Sequence, residues 1–140
     1  MALSEDIAAR VEGALREVED ELRARLDAAP GALRRAAADV LTGARSGRYY
    51  ATAGGGYRAS APGEPPARRT GAYERSWSAL PPAEQRLANG VRFTVRLTTS
   101  LPERARRLEY GGGGVAARPH MERMRAAAVA ELRGLLRGGD

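Results

Sequence analysis

Large apolar side chains, the material of a hydrophobic core, are scarce in this chain. Of its 140 residues, Leu, Val, Ile and Phe together supply 23, about 16%, whereas Ala alone supplies 28 of the 60 hydrophobic residues. Such a composition, combined with a net charge of +6, lies near that of disordered chains. The length leaves room for one domain. We therefore expect a single marginal domain over residues 1–140 that completes its burial against other copies of itself.

Hydrophobic periodicity predicts a long helix at the N-terminus. Its stripe recurs at steps of three and four residues and consists of Leu3, Ile7, Val11, Leu15, Val18, Leu22 and Leu26. The helix either belongs to an ordinary core or lies across a sheet or a neighbouring subunit. Pro30 and Gly31 interrupt the pattern, and a second helix or a kinked continuation then runs to Gly43.

Strand signals are concentrated in the middle of the chain. The adjacent tyrosines of SGRYYA favour a short strand, and Asn89-Gly90 is a strong hairpin signal. Residues 91–99 then alternate, with Val91 and Phe93 facing the core and Arg92 facing solvent. Trp77 is expected to anchor the core. Short helices are predicted after Thr70 and after Pro102.

A C-terminal helix is predicted after these strands, with Pro119 in its first turn and residues 138–140 as a frayed end. Helices at both termini around a small antiparallel sheet define an α+β fold.

Residues 54–71 are dense in breakers of regular structure. Five Gly and three Pro occupy these 18 positions, so we expect an extended loop without regular elements, either disordered or functional. Its prolines reduce the entropy lost on ordering, which suits a loop that is mobile in the monomer and ordered against a neighbour. The residues predicted for subunit contact are Tyr57, Arg58, Pro62, Glu64, Pro65, Pro66, Arg68 and Arg69.

Residues that carry catalytic or metal chemistry are sparse. There is no Cys, and His120 is the one histidine, which we interpret as a satisfied surface imidazole rather than a catalytic base. The glycine runs fit neither phosphate-binding motif, and the chain has no Lys for a P-loop. No catalytic, cofactor or metal site is predicted, and the acidic start lacks the features of a signal peptide.

Charge is distributed unevenly along the chain. Residues 1–30 hold eight acids and four arginines, whereas residues 31–140 hold nine acids and 19 arginines. The basic part either faces DNA phosphates or acidic proteins, or is a solvated surface. Arg92 and Arg96, on the wet face of the strand at 91–99, are available to DNA or acidic partners or are simply solvated.

Four sequence signals stand in a fixed order: SGRYY at Ser46, ASAPGEPPARRTG from Ala59, LEYG at Leu108 and ARPHM from Ala117. Together they resemble the neck or tail-completion family of long-tailed bacteriophages, the head-tail joining proteins typified by gene product ten of a lambdoid coliphage. The resemblance covers roughly residues 43–130. Its family-motif residues are Leu108, Glu109, Tyr110, Gly111, Arg118 and Pro119. The chain departs from the family at Arg104, Arg106 and Arg107, which replace aromatic residues, and at His120, which replaces a bulky apolar one.

The resemblance implies a structural protein of a siphovirus virion, assembled in the host cytoplasm, with no catalytic activity. The copies would form a ring, sixfold by analogy with tails, in the neck between head and tail. Expected partners are other copies, head-closure or adaptor proteins, a tail terminator or tail tube protein, and genomic DNA passing through the lumen without sequence specificity. With a ring of this kind, the arginines predicted to face the lumen or a partner are Arg92, Arg96, Arg106 and Arg107. The alternatives are the tail terminator itself and, from another class, a small Arg-rich nucleic-acid-binding protein, against which a lack of stacking aromatics argues.

Overall fold

The computed structural model describes residues 2–137, with side chains from residue 4. The elements, in chain order, are α1 (Ala2–Leu26), α2 (Ala29–Thr42), β1 (Tyr49–Thr52), β2 (Gly55–Arg58), α3 (Ala72–Arg75), β3 (Trp77–Leu87), β4 (Gly90–Thr99), α4 (Pro102–Tyr110) and α5 (Met121–Leu136). The α+β fold is therefore confirmed, with two two-stranded antiparallel sheets rather than one. The predicted frayed end at 138–140 lies outside the described residues.

The N-terminal region folds as two helices rather than as one kinked helix. The break falls at Asp27 and Ala28, and Pro30 lies in the first turn of α2, where its missing N–H leaves no hydrogen bond unmade. Gly43 ends α2 with extended backbone angles, as the sequence predicts.

The β3–β4 hairpin confirms the predicted strand over residues 91–99. Leu87 pairs with Gly90, so the connecting residues are Ala88 and Asn89, one position earlier than the Asn-Gly signal indicates. The predicted alternation is present, because Val91 and Phe93 are half-buried whereas Arg92 is exposed. An irregularity in the register coincides with Pro81 and Pro82 of β3, which have no N–H to donate to a ladder.

The expectation that residues 54–71 contain no regular element is wrong. Gly55–Arg58 forms β2, which pairs with β1 in a second hairpin. Pairing uses backbone groups, so glycines do not prevent it, and Gly55 adopts a φ of 126° at the turn. Across the hairpin, the rings of Tyr50 and Tyr57 stack with centroids 5.5 Å apart, a contact that favours this register.

The core lies where α2 packs against α5 and the β3–β4 hairpin. Its buried residues are Ala37, Leu41, Tyr73, Trp77, Ala105 and Met124. Alanines allow close approach of α2 but contribute little apolar area. Trp77 is 6% exposed, which confirms its predicted place in the core.

α4 and α5 occupy the positions predicted for the last two helices. Pro119, however, does not lie in the first turn of α5, because His120 is the residue that caps this helix and Pro119 precedes it. The N–H groups of His120 and Met121 both donate to the Glu109 carboxylate, so the helix begins after His120 and not at Pro119.

Candidate functional site

An apolar stripe on α1 lacks intramolecular cover over most of its length. Ile7, Val11, Leu15 and Val18 are 52%, 53%, 58% and 53% exposed, respectively. They lie on one side of the helix because they follow one another at steps of four, four and three residues. Each half-exposed aliphatic side chain forgoes about 1 kcal/mol of burial free energy. We call these four residues the α1 stripe.

The stripe ends where α1 reaches the body of the protein. Leu22 is half-buried and Leu26 is buried, and α1 contacts both α5 and α2. Ion pairs attach this end to β3, since Arg86 pairs with Glu19 at 3.1 Å and Arg23 pairs with Glu84. The uncovered part of the stripe therefore belongs to a helix that is fixed at its C-terminal end. Leu3, predicted to extend the stripe, lies outside the described side chains.

An apolar groove opens on the body between α2, β4 and α5. Its volume is about 320 Å³, and among the described residues that line it Arg125 carries the one charge. The groove is lined by Leu33 of α2, Val95 and Leu97 of β4, and Met124, Ala128 and Leu132 of α5. Sequence periodicity places these residues on the inner faces of their elements. It does not reveal that the faces stand apart and leave space between them.

Glu64, in the segment predicted to contact a neighbour, is held by its own chain. Its carboxylate accepts hydrogen bonds from the backbone N–H of Ser46 at 3.1 Å and of Ala61 at 2.9 Å, and from the Ser46 hydroxyl. These bonds, that of the Ser46 hydroxyl above all, lower the pKa of Glu64 to about 2. These bonds connect the loop to Ser46 within one chain, and the expectation that the loop gains order on assembly stays a prediction.

The remaining loop residues divide into buried and exposed sets. Pro65 and Pro66 are buried, and the Pro66 carbonyl accepts hydrogen bonds from the Arg45 guanidinium at 3.0 and 3.2 Å. Arg68 is exposed and pairs with Glu74 at 3.0 Å. Exposed positions also include Pro62, Arg58 and Arg69, and Tyr57 is half-buried. Of the residues predicted for subunit contact, five remain accessible to a partner: Tyr57, Arg58, Pro62, Arg68 and Arg69. Their contact with a neighbouring subunit stays a prediction.

The β1–β2 hairpin gathers three of the five tyrosines with three arginines, a cluster that the sequence analysis missed. Arg48 lies over the ring of Tyr50 at 5.1 Å, Arg58 over Tyr49 at 5.8 Å and Arg69 over Tyr57 at 5.6 Å. All three arginines are exposed, and within residues 2–137 none of them pairs with an acid. We call these six residues the Tyr-Arg hairpin. The spacing of SGRYY and GYR was the signal for it, once the two segments were paired.

The four arginines predicted to face a lumen or a partner do not form one group. Arg92 and Arg96 lie on the exposed face of β4, whereas Arg106 and Arg107 lie on the exposed side of α4. All four are exposed, which leaves them accessible to a partner. No described contact joins the two pairs.

The family-motif residues meet at one junction. The Glu109 carboxylate accepts hydrogen bonds from the N–H groups of His120 at 2.8 Å and Met121 at 3.0 Å. These donors lie at the start of α5, where the helix itself supplies no acceptor for them. The Leu108 carbonyl accepts the N–H of Arg118 at 2.5 Å. Leu108 also packs against the core. This junction joins α4 to α5 and is structural in character.

Arg118 and Gly111 complete the junction. The Arg118 guanidinium donates to the Ser60 hydroxyl at 2.7 Å and so ties the long loop to the start of α5. Gly111 ends α4 with a φ of 77° and a ψ of −178°, backbone angles that glycine alone adopts readily. Pro119 is half-buried, and Tyr110 is 76% exposed. Tyr110 is therefore the motif residue that the junction itself does not use.

The expectation that His120 is a surface residue is wrong, because its side chain is fully buried. Nδ1 lies 2.7 Å from the Arg118 carbonyl, to which it donates, and Nε2 lies 2.6 Å from the Tyr73 hydroxyl, whose hydrogen bond the neutral imidazole accepts. Burial lowers the pKa of His120, against the Arg118 hydrogen bond and the Glu109 charge that raise it. Burial also raises the pKa of Tyr73 to about 12. Both rings therefore stay neutral near pH 7 and act as a structural pair.

Comparison of the chain with protein-family models, with curated proteins and with solved structures found no match. The resemblance to phage neck proteins therefore stays a prediction. Within residues 2–137, no group of three or more His, Cys, Asp and Glu side chains is placed to hold a metal ion.

Of the helices in the described part of the chain, none combines the length and the apolar character needed to cross a bilayer.

Proposed function

We propose that this protein is a self-associating structural component of a bacteriophage neck, which forms a ring between the head connector and the tail tube. The observation that carries the proposal is the α1 stripe, four aliphatic side chains that are more than half exposed. Exposed aliphatic residues in a row mark interaction sites. Self-association covers them and adds the burial that the alanine-rich core lacks. The order of the SGRYY, ASAPGEPP, LEYG and ARPHM signals supports the particular assignment to the neck.

The first test is the oligomeric state of the purified protein. Light scattering coupled to size exclusion is expected to give a closed oligomer for the natural sequence, and negative-stain images are expected to show rings that cap purified siphovirus tail tubes. Replacing Leu15→Ser and Val11→Ser removes apolar area from the α1 stripe and is expected to give a monomer. A natural chain that stays monomeric at all concentrations, or rings that do not bind tail tubes, would contradict the proposal.

A control substitution separates loss of the interface from loss of the helix. Glu17 lies on α1 two positions beyond Leu15, on the opposite side of the helix, and is exposed. Glu17→Ser carries the same replacement residue and is expected to leave the oligomer intact. Equal dissociation of both variants would show that helix stability, and not the stripe, controls assembly.

A second candidate function, nucleic-acid binding, is favoured by the Tyr-Arg hairpin. Its guanidinium groups present N–H donors at an exposed hairpin, and the segment 40–63 holds no acid. Since the arginines already lie over the tyrosine rings, the free partners are phosphates rather than bases, so the expected binding is independent of sequence. The same surface suits a ring through which DNA passes.

Salt dependence distinguishes this second function. We expect the slope of log K against log salt for duplex DNA to fall by about 0.9 for each hairpin arginine removed. The variant is Arg48→Gln with Arg58→Gln and Arg69→Gln, and the matched control is Arg92→Gln with Arg96→Gln on β4. Binding that depends on the β4 pair instead, or that is absent at low salt, would remove the hairpin as the DNA contact.

A further inference from the structure

We infer that the α1 stripe of one copy docks into the apolar groove of a second copy, the groove lined by Leu33, Val95, Leu97, Met124, Ala128 and Leu132. The inference rests on the proposed self-association and names its two surfaces. The occupant is the exposed part of α1, residues 4–18, from another copy of this chain.

The two surfaces match in chemistry and in shape. The stripe is a narrow row of aliphatic side chains on a helix that is fixed at its C-terminal end. The groove is a cleft of about 320 Å³ between a helix pair and a strand, lined almost entirely by aliphatic side chains and methionines. Methionines adapt their shape to an incoming side chain. A row of protruding residues that enters such a cleft is the usual geometry of a helix bound in a groove.

The distribution of charge favours the groove, rather than the α1 stripe of another copy, as the surface that the α1 stripe contacts. Between Ser4 and Glu21, α1 carries seven acidic residues and two arginines, so two α1 helices packed side by side would bring like charges together. The groove holds no acid among the described residues that line it, and its one charge, Arg125, is exposed and pairs with Glu122 at 3.3 Å. An acidic helix therefore meets an apolar lining that presents no like charge to it.

Symmetry leads to the same pairing. Stripe against stripe is an isologous contact, which closes a dimer and leaves the groove empty. Stripe into groove joins two different surfaces, and repetition of such a contact generates a ring when the rotation closes. Each copy then donates one helix and receives one, so every stripe and every groove in the ring is covered.

Disulfide trapping tests the inference directly, because the natural chain has no cysteine. Two single variants, Leu15→Cys and Ala128→Cys, are mixed under mild oxidation and separated on a non-reducing gel. We expect a covalent dimer in the mixture and little in either variant alone. Glu17→Cys and Ala130→Cys, on the opposite sides of the same two helices, are the matched controls and are expected to stay unlinked.

The double variant Leu15→Cys with Ala128→Cys is expected to give a ladder of covalent species that ends at the copy number of the ring. A second pair, Val11→Cys with Leu132→Cys, replaces the first if either variant loses its native circular dichroism.

The outcomes separate this inference from the proposed function. Dimers of Leu15→Cys alone would show stripe-to-stripe pairing and overturn docking in the groove, while self-association stands. An oligomer by light scattering with no cross-link in either cysteine pair would do the same. A chain that is monomeric throughout would overturn both proposals.

Discussion

The Tyr73 hydroxyl donates a 2.6 Å hydrogen bond to Nε2 of His120 inside the core. The bond joins α3, which follows the long loop, to the residue that begins α5. The two rings also meet edge to face, with centroids 5.6 Å apart. This pair therefore links α3 to the start of α5 by a polar contact within the core.

Removal of the Tyr73 hydroxyl should destabilise the fold. Tyr73→Phe keeps the ring and its packing but leaves Nε2 of the fully buried His120 without its donor. An unpaired buried acceptor costs about 1–3 kcal/mol, and we expect that loss in the free energy of unfolding measured with urea. Tyr110→Phe, at an exposed motif position, is the control and should change stability little. A Tyr73→Phe protein as stable as the natural one would contradict the role of this bond.

Mild acid should destabilise the protein through protonation of His120. Because burial lowers the pKa of His120 below its ordinary value of 6.5, the unfolded chain binds a proton more readily than the folded one. With respect to His120, the free energy of unfolding is therefore highest above pH 6.5 and falls as the pH decreases from 6.5 towards the lower pKa of the folded state. The groups that face the ring are Tyr73, neutral in this range, and Glu109. Urea unfolding at pH 7.0 and 5.5 measures the loss.

The variant His120→Gln isolates this titration, since it removes the ionisable ring. It should unfold at lower urea concentration at both pH values but with a much smaller difference between them. An unchanged pH difference in the variant would assign the effect to another group. The stability that Glu64 confers is present in full above pH 4.5 and is lost only as the pH falls from 4.5 towards 2, because its pKa is about 2 in the folded protein against an ordinary value of 4.5.

Glu64 should control the order of the long loop. Glu64→Gln removes the charge that accepts the N–H groups of Ser46 and Ala61. We expect hydrogen exchange at those two amides to accelerate on the order of tenfold, the factor that loss of a charge-assisted bond corresponds to. Exchange in α2 should not change. If the amides of Ser46 and Ala61 exchange at the natural rate, the loop is held by its buried prolines instead.

Much of the fold follows from local pattern, and the parts that do not follow depend on contacts between distant residues. Periodicity predicts α1 and α5, and alternation predicts β4, because each element has one wet face. The strand β2 escapes prediction because its sequence, GGYR, owes its conformation to the backbone of β1. His120 likewise has no local signal for burial, since its partners Tyr73 and Glu109 lie 47 and 11 positions away.

The candidate interface likewise contains one part that the sequence predicts and two parts that it does not. The α1 stripe follows from the spacing of apolar residues along one helix, so its existence is predictable from sequence. Its exposure is not, because it depends on how much of α1 the other elements cover. The groove is a space between three elements and has no sequence pattern of its own. The Tyr-Arg hairpin needs the pairing of Tyr50 with Tyr57 before its six side chains form a cluster.

Gly111 should be the glycine least tolerant of substitution at the α4–α5 junction. Its φ of 77° and ψ of −178° belong to a region that costs a residue with a side chain about 1–3 kcal/mol. A Cβ there would also lie 2.9 Å from the Val115 carbonyl oxygen and 3.0 Å from the Ala117 nitrogen, so backbone must move. Gly111→Ala is therefore expected to lower the thermal midpoint well below that of Gly113→Ala. The latter has a φ of 57° but open space around its Cβ, so it reports backbone strain alone. Equal midpoints for the two variants would mean that the junction relaxes around the added carbon and does not fix the direction from α4 to α5.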